Sequence, residues 1–230
     1  MKLVLHQLSV RGSVRSPYLS PEAALALLAL EKDTGGLIYT DMWRDPMSSL
    51  LARRTRHNTQ LPGYSTHNFG LSLDLNVKAI LEQKKIRYED LLRIMKKRGW
   101  YCYRRDGLET WPEGDHFDYL GMAAQKYLER TTMDPASWSL PGEMRIWELY
   151  GQYFSLSMKE VQEHLTKLRF FYGTITGKND QYTREAILAF QRAWDLIQTG
   201  MPDISTCRVL TFVTAEWEMG QIPAWAASSA

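Results

Sequence analysis

The chain has 230 residues, 44% of them hydrophobic and 23% charged, a composition typical of a globular protein with one large or two small domains. The formal net charge of +2 excludes the strongly basic surface of nucleic-acid-binding proteins, so we predict no nucleic-acid partner. The two cysteines exclude a disulfide framework and a cysteine-ligated metal, and no apolar run is long enough for insertion into a membrane.

The beginning of the chain predicts where the protein is made. Residues 1–5 are mostly apolar, but His6 and Gln7 interrupt them at once, so no signal peptide is predicted. Cys102 and Cys207 lie far apart, which favours two free thiols and a reducing compartment. We therefore expect synthesis and folding in the cytoplasm.

Residues 1–134 predict an α+β domain. Helices are predicted over 20–33, 46–56, 88–98 and within 117–130, and strands over 37–41, 70–77 and 100–104. Ser20 is the predicted N-cap of the first helix, and Pro21 takes its first position. In the strand over 70–77, leucines alternate with polar residues, which predicts a buried face and a polar face that carries Asp74.

The rest of the chain predicts a linker and a small all-α domain. Residues 135–152 contain prolines and glycines without a clear period and are predicted as the linker. Residues 153–220 predict three helices: the first begins with a capping box of Ser157 and Glu160, Thr183 caps the second, and the third ends near Glu218. Residues 221–230 predict a loose tail.

A histidine and an aspartate near the middle of the first domain form a candidate metal site. His67 lies on the loop before the strand over 70–77, Asp74 lies on the polar face of that strand, and Gly70 allows the backbone to turn between them. One nitrogen and one oxygen ligand suit a zinc ion. These two residues alone also fit a surface aspartate and an ordinary loop histidine.

The stretch from Trp111 to Phe117 supplies a third candidate ligand and a candidate general base. His116 is a third candidate ligand, and three protein ligands leave a fourth position of zinc open to water. Glu113 is a candidate general base that takes a proton from water and passes it to a leaving amine. Asp115 is the rival base, and its alternatives are an exposed turn residue or a partner that supports a metal ligand.

The pattern Ser-x-His-x-x-Gly-x-x-x-Asp followed by Glu-x-x-His resembles the zinc D-Ala-D-Ala carboxypeptidase and L-alanyl-D-glutamate endopeptidase family, peptidase family M15. The matching residues are Ser65, His67, Gly70, Asp74, Glu113 and His116. The resemblance covers roughly residues 20–130 and implies an α+β zinc peptidase domain with a small antiparallel sheet and helices. It also implies that His67, Asp74 and His116 bind Zn²⁺ and that Glu113 is the catalytic base.

The segment from Ile38 to Pro46 is similar to a further element of that family. The resemblance implies that Arg44 polarises the reacting carbonyl, with Trp43 in place of the usual tyrosine, and that Trp43 and Ser65 bind substrate. A salt bridge of Arg44 with a neighbouring aspartate is the alternative, and two further arginines are rivals for its role: Arg53 and Arg54. Ordinary packed or solvated histidines are predicted at three other positions: His6, His57 and His164.

The second domain resembles the three-helix peptidoglycan-binding domain of cell-wall hydrolases. The resemblance depends on the spacing of Gln162, Gly173, Gly177, Thr183, Phe190 and Gln191 among apolar positions. It implies bacterial peptidoglycan as the partner, with the domain raising the local concentration of the enzyme on an insoluble polymer.

Both resemblances predict a monomeric zinc peptidase that hydrolyses an amide bond of the peptidoglycan stem peptide. An L-Ala-D-Glu endopeptidase of the phage endolysin type is favoured, made in the bacterial cytoplasm and released onto the wall at lysis. Asp41-Met-Trp43 departs from the family pattern, and Glu113-Gly-Asp-His116 mixes features of its two branches, so a D-Ala-D-Ala carboxypeptidase or D,D-endopeptidase stays open. A non-catalytic wall-binding protein is the second alternative.

Overall fold

The computed structural model describes residues 1–56, 60–102, 115–122, 124–127 and 141–222. In these ranges the strands are β1 (Lys2–Gln7), β2 (Arg11–Gly12), β3 (Tyr18–Leu19), β4 (Ile38–Asp41), β5 (Ser72–Leu75), β6 (Trp100–Tyr101), β7 (His116–Tyr119) and β8 (Glu216–Gln221). The α-helices are α1 (Pro21–Thr34), α2 (Pro46–Arg56), α3 (Val77–Lys84), α4 (Tyr88–Lys96), α5 (Pro141–Tyr150), α6 (Met158–Lys167), α7 (Gln181–Ala193) and α8 (Ile204–Val213). None of the described helices is long and apolar enough to cross a membrane.

The predicted helices over 20–33, 46–56 and 88–98 are confirmed as α1, α2 and α4. Helix α1 begins after Ser20 with Pro21 at its start and ends at Gly35, which has the left-handed conformation that glycine adopts without strain. The Ser20 side chain makes no capping hydrogen bond, so the sequence identified the position of the cap and not its mechanism.

A five-stranded sheet has the order β2-β4-β5-β7-β6. Every adjacent pair is antiparallel except β2 and β4, so the prediction of a purely antiparallel sheet is wrong at this edge. Strand β5 lies in the middle, where Asp74 is opposite Asp41 of β4 on one side and opposite His116 of β7 on the other. The register therefore gathers three chemically active side chains at one point of the sheet.

Strand β5 buries its leucines as the alternation predicted. Leu71, Leu73 and Leu75 are each 2% exposed or less and belong to the main hydrophobic core. The strand is shorter than predicted, because the Asn76 side chain accepts a hydrogen bond from the backbone N–H of Ala79 at 3.1 Å and so caps α3.

The helix predicted within 117–130 begins later than its first residue. Residues 116–119 form β7, paired with both β5 and β6, because Phe117 and Tyr119 suit a buried strand between two partners. Gly121 then turns the chain with φ +73°, and residues 125–127 are helical.

A helix occupies most of the predicted linker over 135–152, so that prediction is wrong for the described part, residues 141–152. Helix α5 starts at Pro141, where the missing N–H of proline costs no helical hydrogen bond. Ile146 on α5 and Phe154 just beyond it are fully buried in the same core as the five-stranded sheet. Residues 135–140 lie outside the described ranges.

Helices α6, α7 and α8 form the predicted three-helix unit around a second core that includes Val161, Ile187, Phe190 and Leu210. The capping box of Ser157 and Glu160 at α6 is confirmed. The predicted cap at Thr183 is wrong: Asp180 caps α7, and its side chain accepts from the Thr183 N–H at 2.9 Å.

The third helix of this unit is shorter than predicted. Helix α8 ends at Val213, and the residues up to Gln221 form β8 instead of helix or tail. Strand β8 pairs in parallel with β1, which also pairs with β3, so the end of the second unit completes a sheet begun by the first strand of the chain.

Candidate metal centre

The structure brings together His67, Asp74 and His116, the three predicted ligands. His67 lies on a 3₁₀ helix (Thr66–Phe69) that leads into β5, Asp74 lies on β5, and His116 begins β7. His67 Nε2 lies 3.2 Å from Asp74 Oδ1 and 3.2 Å from His116 Nδ1, and His116 Nδ1 lies 2.9 Å from Asp74 Oδ1. Three donor atoms therefore form a nearly equilateral triangle.

A local network fixes the turn that presents His67. Ser65 is the N-cap of the 3₁₀ helix, and its hydroxyl accepts from the His67 N–H at 3.3 Å. Gly70 ends the turn with φ +64°, and a Cβ there would lie 2.7 Å from the backbone nitrogen of Ser20. Ser65, predicted to bind substrate, thus contributes to the position of a ligand, and its contact with substrate stays a prediction.

The outer nitrogen of each imidazole determines which nitrogen faces the triangle. His67 Nδ1–H donates to the backbone carbonyl of Met42, so Nε2 points inward as a lone pair. His116 Nε2–H donates to Asp118 Oδ1 at 3.0 Å, so the inward atom is Nδ1. When both rings are neutral they present acceptors toward Asp74, which is itself an acceptor; a ring that is protonated in the absence of a metal donates to Asp74 instead.

Three acceptors this close together repel one another unless a cation lies between them. In a tetrahedral zinc site with metal–ligand distances of about 2.0 Å, neighbouring ligand atoms lie about 3.3 Å apart. The observed separations of 2.9–3.2 Å agree within a few tenths of an ångström. Two imidazole nitrogens and one carboxylate oxygen are a donor set that zinc accepts, so the residues fit the ion chemically as well as geometrically.

Electrostatics at the triangle favour positive charge. Burial by itself raises the pKa of the Asp74 carboxyl, but the nearby charge of His67 and hydrogen bonds from both imidazoles outweigh it, and the pKa lies well below its ordinary value. Burial lowers the pKa of His116, yet Asp118 and Asp74 raise it well above its ordinary value. A cation bound here would compete with the proton that these carboxylates attract.

The three candidate ligands differ in exposure. The His67 side chain is 3% exposed and that of Asp74 is 21% exposed, whereas His116 is 43% exposed. Solvent therefore reaches part of the His116 ring, while the His67 ring is enclosed.

Asp118 is a part of the site that sequence reasoning missed. Its side chain is 5% exposed, and it accepts hydrogen bonds from His116 Nε2 and from the Thr66 hydroxyl. A carboxylate behind a ligand histidine fixes the ring and raises its basicity. The signal was available, because residues two apart on a strand share a face and His116-Phe-Asp118 follows that spacing.

Of the two candidate general bases, only one lies in the part of the chain that the structure describes. Glu113, the predicted base, lies outside the described residues together with Trp111 and His57, so its role stays a prediction. Asp115 is exposed, as the turn-residue alternative predicted, and its backbone carbonyl accepts from the Leu75 N–H at 2.9 Å.

Arg44 lies beside the triangle through its backbone. Its N–H donates to the His67 carbonyl at 3.2 Å, while its guanidinium donates to Asp41 from Nε at 3.1 Å and from Nη2. The predicted alternative of a salt bridge with a neighbouring aspartate is therefore present. Asp41 is itself opposite Asp74 in the sheet, so the pair borders the candidate metal centre.

Other candidates are engaged elsewhere. The Trp43 indole N–H donates to the Asn68 carbonyl at 3.2 Å, and its ring packs edge-on against Tyr18 and Trp217. Arg54, a rival of Arg44, forms hydrogen bonds with Asp195 at 3.1 Å. The nitrogen Nδ1 of His164 lies 2.6 Å from the Thr214 hydroxyl, and that of His6 lies 3.1 Å from the Gln221 carbonyl.

The three-helix unit carries an open groove of about 650 Å³ beside α7. Two tyrosines in its lining are mostly exposed, Tyr172 at 84% and Tyr182 at 75%. The loop next to the groove is held by Gln162, whose buried amide accepts from the backbone N–H groups of Thr176 and Gly177 at 2.9 and 2.8 Å. Gln162 thus holds the loop that lies between the two exposed tyrosines in the sequence.

Comparison with protein families identifies this unit. Residues 155–210 match the family model of a peptidoglycan binding domain, a range that covers α6, α7 and most of α8. No curated protein matches the chain. The family match agrees with the resemblance of the second domain and associates the protein with the bacterial cell wall.

Proposed function

We propose that the protein is a zinc-dependent peptidase that hydrolyses an amide bond in the peptidoglycan stem peptide, with the L-Ala-D-Glu bond favoured. The observation that carries the proposal is the convergence of three ligand atoms, His67 Nε2, Asp74 Oδ1 and His116 Nδ1, within 3.2 Å of one another at the five-stranded sheet. The peptidoglycan-binding family match in the same chain supports the substrate.

Each side chain of the candidate metal centre has its own role in the proposed hydrolysis. His67, Asp74 and His116 would hold a zinc ion, and the ion would supply Lewis-acid chemistry for the carbonyl and for water. Asp118 holds the His116 ring in the tautomer that keeps Nδ1 free. In the proposal, Glu113 accepts the proton and returns it to the leaving amine, and Arg44 stabilises charge on the carbonyl oxygen after exchanging part of its pairing with Asp41.

The three-helix unit concentrates the enzyme on the polymer. Tyrosines have an apolar face for the ring of a sugar and a hydroxyl for its polar groups, so Tyr172 and Tyr182 suit a glycan chain in the groove. Binding the wall converts the encounter of the catalytic site with a stem peptide into a local event with a high effective concentration. A wall-binding unit and a hydrolytic centre in one chain support the phage endolysin assignment that we propose.

The activity is tested by mass spectrometry of purified peptidoglycan after digestion, with and without a chelator. We expect chelator-sensitive release of peptides that begin with D-Glu. His67→Ala should abolish this release, whereas His164→Ala removes a histidine outside the triangle and should retain it. Loss of a terminal D-Ala, or opening of crosslinks, would assign the D,D class instead. Unchanged peptidoglycan in the presence of zinc would leave a wall-binding protein.

Wall binding is tested separately by co-sedimentation with purified cell walls in the presence of a chelator. The double variant Tyr172→Ala, Tyr182→Ala should remain in the supernatant. Ile197→Ala removes an equally exposed apolar side chain of the same unit outside the groove and should sediment like the wild type. Equal sedimentation of both variants would exclude this groove as the binding surface.

A further inference from the structure

One arginine of the three-helix unit is buried far from its own core. Arg208 on α8 is 1% exposed, and it lies within the segment that matches the peptidoglycan-binding family. Burial of a guanidinium is costly unless every donor finds a partner, so the partners of Arg208 show which part of the molecule requires it.

The partners of Arg208 lie in the loop that leads to His67 and in α5. Its Nε–H donates to the Gly63 carbonyl at 2.6 Å, and both Nη groups donate to Glu143, Nη2 at 3.1 Å. The guanidinium carbon lies 4.0 Å from the ring centre of Tyr64 and 4.9 Å from that of Phe154. The arginine is thus enclosed by groups from outside the three-helix unit.

A chain of hydrogen bonds leads from Gly63 to the metal centre. The Gly63 N–H donates to Asn68 Oδ1 at 2.9 Å, and Asn68 is fully buried and adjacent to His67 in sequence. The Asn68 amide donates to the Arg44 carbonyl at 2.8 Å, and the Arg44 N–H in turn donates to the His67 carbonyl. The backbone of Gly63 approaches α8 closely, because a Cβ at this position would lie 3.0 Å from Phe212 Cβ on the same helix as Arg208.

A second contact links the same loop to α8. The Tyr64 hydroxyl donates to the Ser205 hydroxyl at 2.8 Å, one turn of α8 before Arg208. Two neighbouring residues of the loop are therefore held by two residues of one helix.

We infer that Arg208 is a positioning residue for the metal centre: by holding Gly63 and Tyr64, it fixes the turn that directs His67 Nε2 toward Asp74 and His116. The inference deepens the proposed function and rests on its metal centre. Helix α8 then has two roles. It belongs to the segment that matches the peptidoglycan-binding family, and it also supports a candidate metal ligand.

The test compares zinc affinity and loop protection in the full chain. Arg208→Lys keeps the positive charge but loses the fork that reaches Gly63 and Glu143 together. Zinc affinity is measured by competition with a chelating dye, and amide hydrogen exchange is followed by mass spectrometry in peptides covering residues 61–70. We expect a roughly 2- to 30-fold loss of zinc affinity, as for substitutions that act through a network of contacts, together with faster exchange in this loop.

Two further variants make the test specific. Arg54→Lys is the matched control, because Arg54 also joins the two parts of the chain, through Asp195 and the Ala193 carbonyl, but contacts nothing in residues 61–70 among its described partners. It should retain wild-type affinity and exchange. If Arg208→Lys does not fold, Glu143→Gln removes the charge of the carboxylate that accepts from both Nη groups of Arg208 and should produce the same changes to a smaller degree.

The outcomes separate this inference from the proposed function. Wild-type zinc affinity and wild-type loop exchange in a folded Arg208→Lys variant, or in Glu143→Gln where that variant replaces it, would overturn the inference. Absence of zinc binding by the wild type would refute the proposed metal centre. Loop exchange alone would then decide whether Arg208 positions His67.

Discussion

Replacing Asp118 with asparagine keeps the size of the side chain and removes its charge. The change acts 3.0 Å from His116 Nε2, on the side of the ring that faces away from the other two candidate ligands. The amide oxygen can still accept a hydrogen bond, but it stabilises positive charge on the ring less than the carboxylate does. We therefore expect Asp118→Asn to weaken zinc binding without removing a ligand.

The size of the effect follows from the position of Asp118 behind a ligand histidine. Loss of such a partner weakens metal affinity by roughly 10- to 100-fold. This corresponds to about 1.4 to 2.8 kcal/mol of binding free energy. When zinc exceeds both dissociation constants, its contribution to the free energy of unfolding falls by the same amount. For a chain of this length, 1 kcal/mol shifts the melting temperature by about 2–4 °C, so the zinc-induced rise should shrink by roughly 3–11 °C.

The assay is calorimetric unfolding with and without excess zinc. Asp90→Asn is the matched control, because Asp90 is also a carboxylate in ion pairs, with Arg87 and Arg93, but bonds to no imidazole among its described partners. That variant should unfold at a different temperature yet keep the full zinc-induced rise. A full zinc-induced rise in Asp118→Asn would show that Asp118 does not support a metal ligand and would refute the reasoning.

Three further predictions concern stability. Burial is the main cause that lowers the pKa of His164 below its ordinary value of 6.5. The unfolded state therefore binds more protons than the native state once the pH falls below about 6.5, and the free energy of unfolding decreases as the pH falls toward the lower native pKa. Urea midpoints at pH 7 and 5 should differ less in His164→Asn than in the wild type. Gln162→Leu removes the acceptor of two part-buried hydrogen bonds from the backbone N–H groups of residues 176 and 177 and should cost about 1–3 kcal/mol in urea unfolding, with Glu163→Leu on the exposed side of α6 near zero. Gly70→Ala forces a Cβ to 2.7 Å from the Ser20 nitrogen at positive φ and should cost at least 1–3 kcal/mol, whereas Gly35→Ala meets no atom within 4 Å and should cost less. Equal urea midpoints within either matched pair, or equal pH dependence for His164→Asn, would contradict the corresponding argument.

The candidate ligands could be predicted because their signals are local. Alternation placed Asp74 on the polar face of a leucine-rich strand, and the family pattern selected His67 and His116 from five histidines. Asp118 was missed although it obeys the same alternation, since the predicted helix over 117–130 concealed the strand spacing. The error in the predicted secondary structure therefore concealed a residue of the candidate metal centre.

Long-range features could not be read from the sequence. Arg208 resembles a surface residue of an amphipathic helix until its partners Gly63 and Glu143 are known, and these lie 145 and 65 positions away. Strand β8 has no buried face, with every residue exposed or half-exposed, so no alternation announces it. Its formation depends on pairing with β1, which no local pattern reports.

The pairing of β1 with β8 has a practical consequence for experiments that aim to separate wall binding from the proposed hydrolysis. His6 and Gln221 are 215 positions apart yet share a hydrogen bond, so β1 gains its second neighbour only after most of the chain has left the ribosome. A protein truncated before Glu216 exposes the unpaired N–H and C=O groups of β1, an edge that invites association with other chains. Insolubility of such a fragment would therefore say nothing about the role of the wall-binding unit, and single substitutions in the intact chain are the sound way to separate wall binding from the proposed hydrolysis.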